Sequence, residues 1–215
     1  MSSFFDKNNP ATKFLTALCN LILANLLFII TSLPVVTIGA SITSLYRVTF
    51  KIFNGDEVGV WRDFFDSFKG NFKKATIIWI PYLIINAFFL FELYLVFGGL
   101  QGTEPWMNVP IIIVMAVLLC VALYVFPLLS MFENTIKETI RNAALLALGN
   151  LPTTILIAVI HIGIGYVLIL QNLWSVAVFS LLVLCGFAVV AIVCTVFLNK
   201  VIPADTKIDT PVEDD

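Results

Sequence analysis

The chain has 215 residues, of which 60% are hydrophobic and 12% are charged, and its formal net charge is −2. A soluble globular domain usually carries about 45–50% apolar and about 25% charged residues, so this composition indicates an integral membrane protein. The few basic residues form no dense cluster, which argues against a nucleic-acid partner.

The N-terminal third predicts two membrane helices separated by a proline. The opening segment MSSFFDKNNPATK is polar, and no small-x-small cleavage site follows, so the first apolar segment is expected to stay in the protein. The uncharged run 14–46 exceeds the roughly 20 residues of one span, and Pro34 breaks it. The sequence therefore predicts a helix at about 13–33, a tight turn and a shorter helix at about 36–53.

The rest of the chain predicts four more spans and a tail. They are expected at about 76–97, 109–131, 151–170 and 174–198, with the tail at 200–215. The predicted fold class is thus all-α, a polytopic transmembrane helical bundle of about six membrane helices in a single domain, 1–215. Five membrane helices are the alternative, because the run 14–46 is a little short for two.

Basic residues indicate the orientation. The loops 54–75 and 132–150 contain Lys and Arg, whereas the loops 98–108 and 171–174 contain none. The positive-inside rule places the first two loops in the cytoplasm. Six spans put both termini there as well, and five would put the N-terminus outside, against that rule.

Two amphipathic segments, at about 61–75 and 132–148, are predicted to be cytoplasmic interfacial helices. Apolar residues follow i, i+3, i+4, i+7 spacing on one face of each. The segments align without gaps at a shift of 68 residues, which favours a parallel internal repeat, although amphipathic helices also resemble one another by chance. They either anchor the bundle in the interface or form a docking face for a partner. The candidate docking residues are Arg62, Asp66, Lys69, Lys73, Lys137 and Arg141.

Four polar residues are predicted at membrane depth, where such groups are costly and are functional candidates by default. They are Asn25, Asn86, Glu92 and His161. The alternatives are structural: hydrogen bonding between helices for the asparagines, an interfacial carboxylate for Glu92, and a hydrogen-bonded core histidine for His161. Gly39 and Thr43, four residues apart, indicate a face of small residues for close helix packing.

Sequence motifs for catalysis are missing. No second acid accompanies Glu92, and no HExxH, GxSxG, P-loop or GxGxxG is present. The four cysteines lie in apolar runs without a CxxC pair, which is typical of small buried hydrophobes. We therefore expect a protein that is not an enzyme and that holds no cofactor or metal.

The stretch SLPVVTIGASITSLYRVTFKI at 32–52, followed by WRDFFDSFKGNFKKATIIW at 61–79, resembles the YesL family of bacterial membrane proteins. That family is defined by a domain of unknown function and has no established activity or catalytic residues. The resemblance implies a multi-pass protein of the bacterial cell membrane. Relatives are often encoded beside carbohydrate ABC importers and sugar-sensing two-component systems, which implies a role in sugar uptake or its control.

Two functions are expected from these observations. The first is an accessory or regulatory membrane protein that binds carbohydrate ABC importer subunits or a sensor histidine kinase. The alternative is a small stand-alone permease for a sugar or another polar solute. An ABC permease subunit fits less well, because the glycine and spacing of the EAA loop are not matched around Ala143-Ala144 and Leu151-Pro152.

Overall fold

The computed structural model describes residues 10–97, 108–170 and 172–202, and these residues form helices and turns without strands. The predicted tail after residue 202, the start of the chain and the loop 98–107 lie outside these ranges. The helices are α1 (Pro10–Ser32), α2 (Ile38–Asn54), α3 (Val60–Phe97), α4 (Val109–Met131), α5 (Ile136–Gly149), α6 (Leu151–Ile169), α7 (Leu173–Leu181) and α8 (Phe187–Val201). A 3₁₀ turn, Val35–Thr37, precedes α2, and a π-helical turn, Leu182–Gly186, joins α7 to α8.

The all-α polytopic bundle predicted from composition is confirmed. Within the described ranges, five helices are long and apolar enough to cross a membrane. They are Thr12–Ser32, Val60–Leu95, Val109–Met131, Leu151–Ile169 and Leu173–Val201.

The sixth predicted span, 36–53, corresponds to α2, which has 17 residues and a length of about 25 Å. The break at Pro34 is present, and the short turn makes α1 and α2 a helical hairpin. Ten of the 17 residues of α2 are buried, since the helix packs against α1, α3, α4 and α8. At 17 residues α2 falls outside the five helices counted by length and composition in the described ranges, and it lies at the centre of the bundle core.

The predicted boundary between an interfacial helix at 61–75 and a span at 76–97 is wrong. Residues 60–97 form the single helix α3, about 57 Å long, which is longer than the roughly 30 Å hydrocarbon core of a bilayer. The composition changes along α3 from amphipathic to apolar, but no helix stop separates the two parts. Gly70 costs only about 1 kcal/mol in a helix, and the later Pro81 is accommodated within it.

The second amphipathic helix starts later than predicted. Residues 132–135 lie outside any helix, and α5 begins at Ile136 rather than at 132. Thr135 and Glu138 form a capping box: Glu138 Oε2 accepts from the Thr135 backbone N–H at 2.9 Å, and the Glu138 N–H donates to Thr135 Oγ1. This cap sets the start of the helix at Ile136. The apolar spacing that predicted a start at 132 also covers residues 132–135, whose backbone is not helical.

Burial is concentrated at one end of the bundle. Residues 123–131 of α4 are all buried, as are Phe64 and Ala75 of α3 and Ala143 of α5. In contrast, many large apolar side chains on the second half of α3, the first half of α4, α6 and α7 are exposed. An exposed apolar surface on helices of this length is the surface that lipid would cover.

Candidate functional site

The first part of α3, residues 60–75, carries nearly all of its charged residues and is called here the charged half. This charged half is held against α2. Lys51 Nζ lies 2.7 Å from Asp63 Oδ1, and Trp79 Nε1 donates to the Val35 carbonyl at 2.8 Å. Val35 lies 16 residues before Lys51, and Asp63 lies 16 residues before Trp79, so α2 with its preceding turn runs antiparallel to residues 63–79 of α3. The half of α3 that carries the predicted docking residues is therefore a fixed part of the core.

The predicted docking residues of α3 all lie on its outer face. Arg62 and Asp66 have side chains 82% and 70% exposed, and their 3.7 Å ion pair contributes little in water. Lys69 and Lys73 are exposed as well. Neither lysine forms a hydrogen bond or ion pair within the described residues.

Lys137 and Arg141, the candidate docking residues of α5, are also exposed. They lie on the helix that begins just after Asn134, whose carbonyl accepts a 2.9 Å hydrogen bond from Lys74 Nζ of α3. The start of α5 is thus tied to the end of the charged half of α3, where its apolar half begins. We call Arg62, Asp66, Lys69, Lys73, Lys137 and Arg141 the charged face.

Three cations that the sequence did not single out for a site point inward and join helices. Lys51 binds Asp63, Lys74 binds the Asn134 carbonyl, and Arg47 donates to the Ser130 carbonyl at 3.3 Å. The head groups of Arg47 and Lys51 thus bond protein atoms, although both residues lie in the second half of α2. A sequence signal existed for Lys74, because it is adjacent to Ala75 on the apolar stripe of α3.

A row of aromatic rings borders the charged face on α3. Phe64 is fully buried, whereas Trp61 is 64% exposed and Phe72 is 39% exposed. The Trp61 and Phe65 ring centroids are 4.8 Å apart, and those of Phe68 and Phe72 are 5.6 Å apart. Exposed aromatic rings beside unpaired cations are common features of protein interfaces and of membrane interfaces.

Over residues 69–75 and 137–143 the two segments agree in burial at five of the seven aligned positions. Ala75 and Ala143 are both fully buried, and Phe72 and Ile140 are 39% and 41% exposed. The segments differ afterwards, since α3 continues unbroken whereas α5 ends before Asn150 and α6 follows. The internal repeat stays a prediction, with matching burial at five of these seven positions in its favour.

Asn25 is a packing residue. Its Nδ2 donates to the Leu182 and Val183 carbonyls at 3.1 and 2.9 Å, and its Oδ1 accepts from the Ala188 N–H at 3.0 Å. These backbone groups belong to the π-helical turn and the residues just after it, where i→i+5 bonding replaces the regular i→i+4 pattern. The fully buried amide therefore holds α1 against the junction of α7 and α8.

The other three polar candidates do not join Asn25 in one site. Asn86 donates to the Tyr82 carbonyl of its own helix at 2.8 Å. Glu92 is half-buried and has no hydrogen bond or ion pair with the described residues. His161 Nδ1 bonds the Ile157 carbonyl at 2.8 Å. His161 lines a cavity between helices, and the other three candidates do not line it.

That cavity has a volume of about 630 Å³ and lies among α1, α2, α6 and the π-turn with α8. Its walls are mostly aliphatic and aromatic, and its polar residues are Ser32, Tyr46 and His161. Asn25 and Asn86 do not line it. Within the described ranges no three His, Cys, Asp or Glu side chains come close enough to hold a metal ion.

A comparison with known families matches residues 21–93 to a family described as a protein of unknown function, DUF624. The match covers about a third of the chain: the second half of α1, α2 and most of α3. No curated protein and no solved structure matches the chain. The matched part is the hairpin and the helix that carry most of the charged face, and its family description assigns no activity.

Proposed function

We propose that this protein is an accessory membrane subunit of the YesL type, which acts by binding a carbohydrate ABC importer or a sensor histidine kinase. It would reside in the bacterial cell membrane with both termini and the charged face in the cytoplasm. The sugar-related role rests on the resemblance of residues 32–79 to that family. The binding role rests on the charged face.

The observation that carries the proposal is the contrast between inward and outward cations. Lys51, Lys74 and Arg47 are all bonded within the bundle, whereas Lys69 and Lys73 have no partner in the described part of the chain. The outward pair lies on a helix whose opposite side is buried at Phe64 and Ala75. Such a rigid, unpaired basic surface suits an acidic protein surface, because complementary charges speed and orient association.

Anionic lipid headgroups are the competing use of the same cations, since basic residues near a membrane bind them. The length of α3 favours a protein partner. An uninterrupted helix of about 57 Å cannot place all of its charged half in the plane of the interface while its apolar half crosses the bilayer, unlike a separate interfacial helix.

Site-specific photo-crosslinking in native membranes tests the proposal. A photoreactive residue replaces Lys69 or Lys73 in cells that carry tagged importer subunits and a tagged sensor kinase. We expect adducts with one of the tagged proteins, and no such adduct from Ile84, which is 59% exposed on the apolar half of α3. Adducts with lipid alone from Lys69 and Lys73 would contradict the proposal.

Charge reversal gives an independent test. The double variant Lys69→Glu, Lys73→Glu should lower recovery of the tagged partner by about tenfold or more, because both charges would then repel an acidic surface. Lys13→Glu, an exposed position on α1, is the matched control and should leave recovery unchanged. Equal recovery with both variants would remove the charged face from the interaction.

The second candidate function is a stand-alone permease for a sugar or other polar solute. The cavity that His161 lines favours it, because solute sites lie between helices. Against it, the cavity walls are mostly apolar, and the Asn25 amide is occupied by backbone groups. Uptake of labelled mono- and disaccharides by proteoliposomes that contain this protein alone would establish the permease function and displace the first proposal.

A further inference from the structure

The cavity beside His161 has the size and lining of a site for an apolar molecule. Its volume of about 630 Å³ lies within the roughly 300–1,000 Å³ of small-molecule pockets. Phe28, Ile42 and Leu45 form one wall, and Phe187 and Val190 form another. Leu33, which is 75% exposed, also lines it, so the cavity reaches the outer surface of the bundle beside the α1–α2 turn.

The cavity holds one well-defined hydrogen-bond acceptor. A carbonyl can only accept, so the 2.8 Å contact with Ile157 requires that His161 Nδ1 carries the proton. In the neutral ring Nε2 is then an acceptor, and it has no hydrogen-bond partner in the described part of the chain. A donor from a ligand would satisfy it.

The two other polar groups of the lining offer less to a ligand. Tyr46 is buried, and the Cys194 thiol is next to its hydroxyl. Ser32 Oγ is buried without a hydrogen-bond partner among the described residues, at the end of α1 nearest the cavity opening. The cavity thus combines extended apolar walls with few hydrogen-bonding positions.

We propose that this cavity binds a lipid-like amphiphile: a long apolar chain that ends in a neutral hydroxyl group, with the hydroxyl donating to His161 Nε2. The apolar walls accept the chain, and the opening at Leu33 admits it from the membrane. A charged headgroup is disfavoured because no cation or anion lines the cavity to compensate its desolvation. A sugar is disfavoured because most of its hydroxyls would remain unpaired. The proposal does not depend on the function proposed above.

Photolabelling of the full chain in lipid nanodiscs tests this site. The probe is a monoacylglycerol that carries a diazirine in its acyl chain, and mass spectrometry locates the labelled residues. We expect labels on residues that line the cavity, competed by unlabelled monoacylglycerol. A matched probe with its hydroxyls methylated should label the same residues about threefold to tenfold less, because losing one hydrogen bond lowers the affinity by about that factor.

Variants of the cavity walls complete the test. Val190→Trp and Ile164→Trp fill the cavity from two different helices, and each should abolish the labels there while the protein stays monodisperse. His161→Phe should remove the preference for the hydroxyl probe and keep the chain binding. Val159→Trp, on the exposed side of α6, is the control and should change nothing. Labels that persist in both filled variants, or equal labelling by the two probes of the unaltered protein, would overturn the proposal.

Discussion

Lys51 Nζ lies 2.7 Å from Asp63 Oδ1, so the last turn of α2 is bonded to the first turn of α3. The second carboxylate oxygen of Asp63 accepts from the Gly59 N–H at 3.0 Å, which closes the start of α3. The two side chains are only 21% and 14% exposed. One carboxylate therefore fixes both the loop before α3 and the position of the charged half of α3 on α2.

Asp63→Asn should destabilise the protein, because it leaves a partly buried ammonium group without its counter-charge. We expect a loss of about 1–2 kcal/mol in the free energy of unfolding, between the values for exposed and buried pairs. Asp66→Asn is the matched control, since the Asp66 side chain is 70% exposed, and it should cost under about 0.5 kcal/mol. Denaturant unfolding in mild detergent measures both, and equal losses would show that the Lys51 contact adds nothing.

Asn25→Leu should destabilise the bundle more than any other change of a single polar residue in the membrane helices. It removes three hydrogen bonds between α1 and backbone groups of the π-helical turn and α8, which costs about 2–3 kcal/mol. Asn86→Leu is the control, because that half-buried amide bonds only its own helix, and it should change stability by less than about 0.5 kcal/mol. Thermal unfolding in detergent distinguishes the two variants, and equal melting temperatures would contradict a structural role specific to Asn25.

The membrane helices could be predicted closely because apolar run length determines them. The predicted span 109–131 has the same bounds as α4, and 151–170 differs from α6 by one residue. Pro34 likewise marks the break before α2, since no helix can keep its regular bonds through a proline. In these regions one physical requirement, the burial of backbone in lipid, sets both the sequence and the structure.

The continuity of α3 could not be predicted from its composition. The change from charged to apolar near residue 76 marks a change of surroundings, and helical backbone is compatible with both. The sequence also could not predict that Lys51 and Lys74 point inward, because a long side chain on a helix can reach either solvent or a neighbouring helix. The polar partner of Asn25 is a π-helical turn that exists only in the packed structure.

The Thr135–Glu138 capping box should make the start of α5 sensitive to acid. Hydrogen bonds from Thr135 lower the pKa of the Glu138 carboxyl below its ordinary value of 4.5. A carboxyl whose pKa is lower in the folded state stabilises that state above the unfolded pKa, and the contribution is lost as the pH falls through the folded pKa. The cap should therefore be intact at neutral pH and weaken below about 4.5.

Hydrogen exchange at residues 136–140, corrected for the intrinsic pH dependence, measures this effect. In the unaltered protein, protection of these amides from exchange should fall as the pH decreases below about 4.5. Glu138→Gln should show reduced protection at neutral pH and little further change with pH. Glu133→Gln, an exposed carboxylate before the cap, should keep the profile of the unaltered protein. A profile that Glu138→Gln does not alter would exclude the capping box as its source.

Gly39 allows α2, α3 and α4 to approach one another, and its replacement by alanine should be destabilising. A Cβ at this position would lie 2.8 Å from Trp79 Cβ, 3.0 Å from the Ala75 carbonyl oxygen and 3.1 Å from Phe126 Cε1. The carbonyl belongs to helical backbone and cannot rotate away, so the helices must separate. Overpacking of this kind costs about 1–3 kcal/mol.

Gly163→Ala is the matched control, because a Cβ there meets nothing within 4 Å. Alanine is the better helix former by about 1 kcal/mol, so this variant should be as stable as the unaltered protein or slightly more stable. Thermal unfolding should show a lower melting temperature for Gly39→Ala and an equal or higher one for Gly163→Ala. Such opposite changes would show that contact between helices, and not helix propensity, requires glycine at position 39.

Because the same contact positions Ala75 beneath the charged face, Gly39→Ala should also weaken photo-crosslinking of a partner from Lys73, whereas Gly163→Ala should leave it unchanged.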